Sequence, residues 1–442
     1  MDEILYNAAI NLEAAYLIGQ AIQVRSVLIQ QYPKSALAKK AIYLIGANYH
    51  ALAFYENAAA YYEQFARQYG GEIGQNCTDG ERAEGRCANA IEALKNATLF
   101  RLGLGQEEEA LNNVNLFIKN YGKSRPDDTA TVAFAMGQLY VRRGQHHKTI
   151  DYYRKFLRDH KKIVRPHEEV NAQLFIARAF VALDRQKDAD THYGEIVKLW
   201  NKGVVNGISK ITTMSDAEKM LAIRSIIDAT GEAKFREAEV AYNAFRAIRF
   251  PAISGARTFA KVQEWALKTF KPYIEKKQKA LVAAENKFNE IAALKVEVSP
   301  GVVIQSPPWQ IAAAARSGMM YREFVDSFFN APVPEEIERD PELYSIYLQS
   351  IEDPAAPLVQ TAKERFLFCL NTATNVRWFN EWSTACEAEL NALDPRSFPM
   401  AAEIRGAPGY MYSAPGRPGP IEIGADAQGE MDSLGGSSGG EG

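Results

Sequence analysis

The sequence of 442 residues has few of the features that mark membrane proteins and nucleic-acid-binding proteins. It has no run of the roughly 18 to 20 apolar residues that a membrane helix needs, so we predict no transmembrane segment. Its 51 basic and 54 acidic residues give a formal charge of -3. Nucleic-acid binding requires a basic face, so this balance predicts no nucleic-acid partner, although it leaves room for a local basic patch.

Cysteine is also scarce. The four cysteines fall into two local pairs, Cys77 with Cys87 and Cys369 with Cys386. Four cysteines permit three disulfide connectivities, and the sequence does not choose among them. Disulfide bonds at Cys77, Cys87, Cys369 and Cys386 would place the chain in an oxidising compartment, whereas four free thiols would fit a cytosolic protein. No CxxC or HxxxH spacing is present, so we predict no metal site.

The common catalytic motifs are missing as well. The sequence contains no Walker loop, no GxGxxG between a strand and a helix, no GxSxG and no HExxH. The nearest approach to a histidine cluster is His146, His147, His160 and His167, and its adjacent pair lies on a predicted turn, where we expect it to face water. We therefore predict a protein that is not an enzyme and binds no cofactor.

An enzyme with its site in the C-terminal helices is the alternative. The candidate residues for such a site are Tyr321, Arg322, Glu323 and Asp326. This interpretation requires a closed pocket that contains acids with shifted pKa values, in a region where we otherwise expect solid packing.

What the sequence does contain is an internal repeat. Counted from Gly137, the repeat places Tyr140 at +3, Gly144 at +7, Thr149 at +12, Tyr153 at +16 and Phe156 at +19. Similar residues recur at these offsets from Gly46, Thr98 and Ala177, and more weakly from Ala9 and Ile226. Small residues at the anchor and at +12 predict two antiparallel helices in close contact, and the aromatic residues fill the space beside the crossing. A glycine or polar residue near +7 turns the chain between the helices.

These offsets resemble the tetratricopeptide repeat (TPR), a 34-residue helix hairpin that stacks into a right-handed superhelix. The resemblance is good over about residues 1–200 and weak from there to 251, and the tryptophan usual at -4 is absent throughout. It implies an all-α, TPR-like helical-hairpin solenoid over 1–251, with an insertion at 71–88.

The rest of the chain does not show the repeat. Residues 252–400 predict an α-helical C-terminal region, with a short β-hairpin near 294–306 and helices at about 309–329, 341–351, 354–373 and 376–392. Residues 401–442 are rich in glycine, proline and serine, which predicts a disordered tail.

The TPR resemblance also implies a binding groove, because in TPR solenoids the first helix of each hairpin lines the concave surface. The groove positions at offsets -3, +1 and +4 are Tyr43, Ala47, His50, Phe134, Gln138, Val141, Leu174, Arg178 and Val181. This mixed lining with few charges favours an amphipathic helix or an extended apolar segment as partner. A second candidate patch is Trp378, Phe379 and Trp382, whose i, i+4 spacing favours core packing, whereas an exposed cluster would be a partner hot spot.

The lengthened repeats and local cysteine pairs, together with PPWQIAAAARSG and RWFNEWS, are similar to bacterial envelope TPR proteins of the outer-membrane assembly or myxobacterial gliding-motility type. This resemblance implies a non-enzymatic protein-binding scaffold in the periplasm, within a larger envelope assembly. The N-terminus has acids where a secretory signal has basic residues, so a periplasmic location implies a mature or excised segment of a longer protein. The alternative is a cytosolic TPR adaptor with free thiols.

Overall fold

The computed structural model describes residues 1–70, 87–251, 263–329, 333 and 335–399. Cys77, most of the predicted insertion at 71–88 and the predicted tail at 401–442 lie outside these ranges. The described residues form two compact units, one of Met1–Glu168 and one of the residues from Glu169 onward. The boundary between the two units therefore lies at residues 168 and 169, earlier in the chain than the end of the repeat pattern at 251.

Ten of the helices form five consecutive antiparallel hairpins, as the repeat predicts. Their bounds are α1 Asp2–Ala14 with α2 Ile18–Gln31, α3 Ala36–Ala51 with α4 Tyr55–Tyr69, α5 Ala90–Gly103 with α6 Glu107–Tyr121, α7 Pro126–Arg142 with α8 His146–Asp159, and α9 Pro166–Ala182 with α10 Gln186–Asn201. The first four hairpins belong to the first unit, and most of the fifth belongs to the second. The predicted all-α hairpin fold is confirmed.

The turn of every hairpin has a left-handed residue at the +7 offset. The five residues are Tyr16, Ala53, Gly105, Gly144 and Asp184, with φ values of 60°, 61°, 73°, 63° and 55°. A left-handed residue after a helix ends it and reverses the chain within a few residues. The shared position shows that the five hairpins are copies in one register, including the weak first copy.

The anchor and the +16 residue meet where the two helices of a hairpin cross. A Cβ atom placed on Gly46 would lie 2.8 Å from the Tyr62 ring, and one on Gly137 would lie 2.5 Å from the Tyr153 ring. Any larger side chain at these anchors would push the aromatic ring away, so glycine is required by the close approach of the two helices.

Buried polar side chains tie neighbouring hairpins together in the first unit. Glu63 on α4 accepts two hydrogen bonds from Arg101 on α5, at 2.8 and 3.0 Å, and one from Asn113 on α6 at 2.7 Å. Glu63 and Arg101 are nearly inaccessible to solvent, so each side chain depends on the other for compensation of its charge.

The second unit continues with long helices and one small sheet. The further elements are α11 Asn206–Ser209, α12 Asp216–Ala247, a π-helix Ala266–Phe270, α13 Lys271–Ala292, β1 Lys295–Ser299, β2 Val302–Gln305, α14 Pro307–Phe329, α15 Glu335–Glu338, α16 Pro341–Val376 and α17 Glu381–Leu393. Strands β1 and β2 pair antiparallel, with Val296 opposite Ile304, and the turn between them has Gly301 at φ 79°. Ser215 and Glu218 form a capping box that starts α12.

Two glycines allow close helix packing in this unit. A Cβ on Gly231 of α12 would lie 2.7 Å from Trp309 of α14, and one on Gly318 of α14 would lie 2.6 Å from Phe366 of α16. The contacts repeat the glycine-on-aromatic packing of the hairpins without the repeat's spacing, since these residues are 78 and 48 positions apart.

The predicted break between helices at 351 and 354 is wrong, because α16 runs through it without interruption. Ala355 and Phe366 are both buried in the core, whereas Pro357 is exposed on the outer side of the helix. Burial along α14 therefore outweighs the preference of proline for a helix end.

Candidate functional site

The residues predicted at the -3 offset of the groove pack inward. Phe134 and Leu174 are buried, and the half-buried Tyr43 ring lies 5.4 Å from the Tyr62 ring. Phe134 likewise lies 5.5 Å from the Tyr153 ring. The prediction that Phe134 and Leu174 line an open groove is wrong, and for Phe134 the reason is that the aromatic residues of the second helix cover this side of the first.

The residues at +1 and +4 are the ones that reach solvent in the first unit. Gln138 and His50 are exposed, and Ala47 and Val141 are half-buried. The His50 ring also lies 4.7 Å from Phe100 on α5, which fixes its position across the junction of two hairpins. These four side chains lie on first helices, where the resemblance to TPR proteins predicts a binding surface.

Leu99 was missing from the sequence prediction although the repeat contains the signal for it. It occupies the +1 offset of the copy anchored on Thr98, as Ala47 and Gln138 do in theirs, and it is 41% exposed. Lys95 at the -3 offset of this copy is half-buried and pairs with Asp128 of α7 at 3.4 Å. The first-helix surface of the first unit is therefore defined here as Ala47, His50, Leu99, Gln138 and Val141.

In the second unit, the +1 residue Arg178 is bound by another part of the same chain. Arg178 binds both carboxylate oxygens of Glu232 on α12, with its Nε at 2.9 and 3.1 Å from them. Tyr193 donates a further hydrogen bond of 2.9 Å to Glu232. The hydrogen bond to Glu232 is also the main cause that raises the pKa of Arg178. Val181 remains exposed, but Arg178 holds α12 against the fifth hairpin and is not a free groove residue.

The second predicted patch does not share one helix face. Trp378 and Phe379 lie in the loop between α16 and α17, where Arg377 has φ 53°, and they are 47% and 66% exposed. Trp382 lies in the first turn of α17 and packs against the core beside Phe235, with ring centroids 5.6 Å apart. The prediction of a shared helix face is wrong, because Asn380, which lies between Phe379 and Trp382, caps the start of a new helix.

A disulfide bond joins α16 and α17, the two helices on either side of this loop. Cys369 on α16 and Cys386 on α17 are joined with an S–S distance of 2.10 Å, and both are completely buried. Cys87 is disulfide-bonded as well, while Cys77 lies outside the described residues. No described cysteine is a free thiol.

Two residues of the alternative catalytic site pair with each other, and the other two contact different side chains. Tyr321 donates to Glu285 at 2.7 Å, Arg322 pairs with Asp326 at 2.9 Å, and Glu323 pairs with Arg246 at 3.3 Å. A cavity of about 130 Å³ among the C-terminal helices is lined by Phe288, Asn289, Ala292, Ala313, Ala314, Ser317, Arg365 and Phe368. None of the four candidate residues lines this cavity.

Within the described ranges, no group of three histidine, cysteine, aspartate or glutamate side chains is placed to hold a metal ion. Among the helices of those ranges, none combines the length and the apolar character needed to span a bilayer.

No family model and no curated protein matches the chain. Among solved structures, a tetratricopeptide repeat protein from Parabacteroides merdae is 15% identical, covers 67% of this chain and 94% of its own, and has a TM-score of 0.30. The P58(IPK) TPR domain is 12% identical over 89% of this chain and 97% of its own, with a TM-score of 0.23.

A structure of Naa15/Naa10 bound to HypK-THB is 11% identical, over 89% of this chain and 64% of its own, with a TM-score of 0.15. Such low TM-scores carry no information on function, and the assignment of the fold rests on the five hairpins with their shared left-handed turn residue. By its fold, the chain is a TPR-like helical-repeat protein.

Proposed function

We propose that the chain is a non-enzymatic protein-binding scaffold whose first-helix surface, formed by Ala47, His50, Leu99, Gln138 and Val141, binds a segment of a partner protein. The observation that carries this proposal is that the apolar side chain of Leu99 is exposed. It lies on α5, a helix whose side chains in the adjacent turns are mostly buried. The other side chains of the surface are small, apolar, amide and imidazole groups, a combination that suits an amphipathic helix or an extended apolar segment.

The rigidity of the hairpins supports the same proposal. The glycine-on-aromatic crossings and the buried Glu63–Arg101 pair fix the backbone on which the surface residues stand. A surface held in this way loses little conformational entropy when a partner binds, so more of the contact energy appears as affinity.

We further propose that the scaffold works in an oxidising compartment, as a periplasmic component of a bacterial cell-envelope assembly. The buried Cys369–Cys386 bond and the bonded Cys87 support this location, since disulfides persist in such compartments and are rare in the cytosol. A cytosolic TPR adaptor, the alternative, has reduced cysteines.

The experiment that tests the binding surface compares two exposed leucines of one hairpin. Leu99 on α5 and Leu111 on α6 are 41% and 38% exposed, and only Leu99 lies on the first-helix surface. A photo-crosslinking residue at Gln138 is expected to capture a protein partner in native cells. Leu99→Glu should abolish that crosslink, because it buries a charge in the interface, whereas Leu111→Glu should leave it unchanged.

A crosslink that survives Leu99→Glu, or that Leu111→Glu removes equally, contradicts the proposed surface. Circular dichroism of both variants checks that neither substitution unfolds the hairpin.

A further inference from the structure

The fourth hairpin carries a concentration of basic charge that the overall composition conceals. Between positions 142 and 165 the chain has nine lysine and arginine residues and two aspartates, whereas the whole chain has a formal charge of -3. Five of these basic residues lie at the C-terminal end of α8 and just beyond it, and all five are exposed. We call them the basic face, formed by Arg154, Lys155, Arg158, Lys161 and Lys162.

The geometry of α8 places these charges together. Arg154 and Arg158 are four residues apart and so lie on one side of the helix, and Lys155 is adjacent to that side. Lys161 and Lys162 follow the last helical residue, Asp159. Cations in the last turn of a helix favour its dipole, but this effect falls off beyond the helix and does not account for the two terminal lysines.

The acids around α8 leave most of this charge uncompensated. Glu107 on α6 binds Arg143 at 2.7 Å and Lys148 at 3.0 Å, at the opposite end of the helix. Near the basic face, Asp159 pairs with Arg158 at 3.0 Å. Within the described residues, Lys155, Lys161 and Lys162 have no ion pair. The face therefore fits an acidic partner.

The same chain contains a segment of matching charge. Residues 418–442 include five acids and no lysine or arginine, the acids being Glu422, Asp426, Glu430, Asp432 and Glu441. They follow Pro399, the last described residue, by 23 to 42 positions. An extended chain covers up to about 3.3 Å per residue, so length is not a severe restriction on where these acids bind.

We propose that the basic face binds the acidic C-terminal segment, residues 418–442, of the same chain. A single exposed ion pair contributes little binding free energy, so several are needed for a populated contact. Attachment to the same chain supplies a local concentration in the millimolar range, which a separate acidic peptide lacks. The contact is therefore reversible and is weakened by salt.

The test is photo-crosslinking in the full-length chain, with p-benzoylphenylalanine in place of Leu434, between Asp432 and Glu441. At about 20 mM salt, below the range where screening is strong, the crosslinks should map to peptides from positions 142–165. They should be lost at about 0.5 M salt, where the screening length is only a few ångströms.

Two matched variants complete the experiment. Lys155→Glu, Lys161→Glu and Lys162→Glu together should abolish the crosslink to the fourth hairpin. Lys271→Glu, Lys276→Glu and Lys279→Glu, at exposed lysines of α13, change the total charge equally and should leave it intact. The proposal is overturned by crosslinks that ignore the first variant, by crosslinks to other parts of the chain, or by crosslinked dimers, which would place the segment on a second copy.

Discussion

At the scale of single residues, backbone conformation explains the repeat better than side-chain type does. The +7 position is occupied by tyrosine, alanine, glycine, glycine and aspartate, which share no chemistry, yet all five adopt a left-handed φ between 55° and 73°. Only glycine does so without steric cost, because other side chains bring Cβ close to the following carbonyl oxygen. The hairpins that have Tyr16, Ala53 and Asp184 at this position therefore contain local strain.

Exchanging residues at this position should change stability in opposite directions in two hairpins. Gly144→Ala should lower the free energy of unfolding by about 1 kcal/mol, and Ala53→Gly should raise it by about 1 kcal/mol. Open space surrounds the Cβ position of Gly144, so sterics with other residues do not contribute. Urea unfolding followed by circular dichroism measures both changes, and equal signs for the two variants would contradict the shared left-handed turn.

A second prediction at this scale concerns pH. Burial, assisted by the charge of Arg165, lowers the pKa of His167 to about 4, from an ordinary value of 6.5. Between these two pH values the unfolded chain binds a proton that the folded chain does not. Acidification from pH 6.5 to pH 4 should therefore cost at most about 3 kcal/mol of stability at this residue.

The comparison that isolates this effect is between the native chain and His167→Gln. The variant should lose less stability than the native chain as the pH falls from 6.5 to 4, in urea unfolding at a series of pH values. Parallel pH profiles for the two proteins would show that His167 is not the group responsible.

At the scale of secondary-structure elements, the C-terminal helices use contacts that the repeat does not encode. Trp309 covers Gly231, Phe366 covers Gly318, and Arg316 lies between the rings of Tyr242 and Trp382, at 4.6 and 4.9 Å from their centres. Each contact joins residues that are far apart in sequence. The periodicity of single helices reveals that an apolar face exists, but it does not identify the helix that covers that face.

The disulfide between α16 and α17 should contribute strongly to the stability of this region. Cys369→Ala with Cys386→Ala removes a crosslink that closes a loop of 17 residues, which is worth about 3 kcal/mol when its effect is on the unfolded chain. The double variant should unfold at a lower urea concentration, with tryptophan fluorescence as the probe, since Trp382 lies beside Cys386. An unchanged unfolding midpoint would show that helix packing alone holds the corner.

At the scale of the whole molecule, the redox state of the cysteines separates the envelope scaffold from the cytosolic adaptor. Native cells are treated with an alkylating agent, and the mass of the chain is compared before and after reduction. We expect no alkylation before reduction and four alkylated cysteines after it, because Cys87, Cys369 and Cys386 are disulfide-bonded. Immediate alkylation of all four cysteines would move the search for partners to the cytosol.

Much of the hairpin fold can be predicted from the sequence, since its contacts are local. Gly137 and Tyr153 are 16 residues apart and meet across one turn, so their spacing alone indicates the crossing. The same register contained the signal for Leu99 on the candidate surface. The register did not predict that Phe134 is buried under aromatic residues of α8, because this burial depends on how far those side chains extend over α7.

The repeat, the helical hairpins and the positions of their turns therefore follow from the sequence alone, because all of them depend on spacings shorter than one hairpin. Only the tertiary structure decided which first-helix residues stay open, that Arg178 is bound by Glu232, that α16 continues past a predicted break, and that Cys369 pairs with Cys386. These outcomes depend on contacts between separate elements, whose energies outweigh local preference and cannot be deduced from the spacing of residues within one helix.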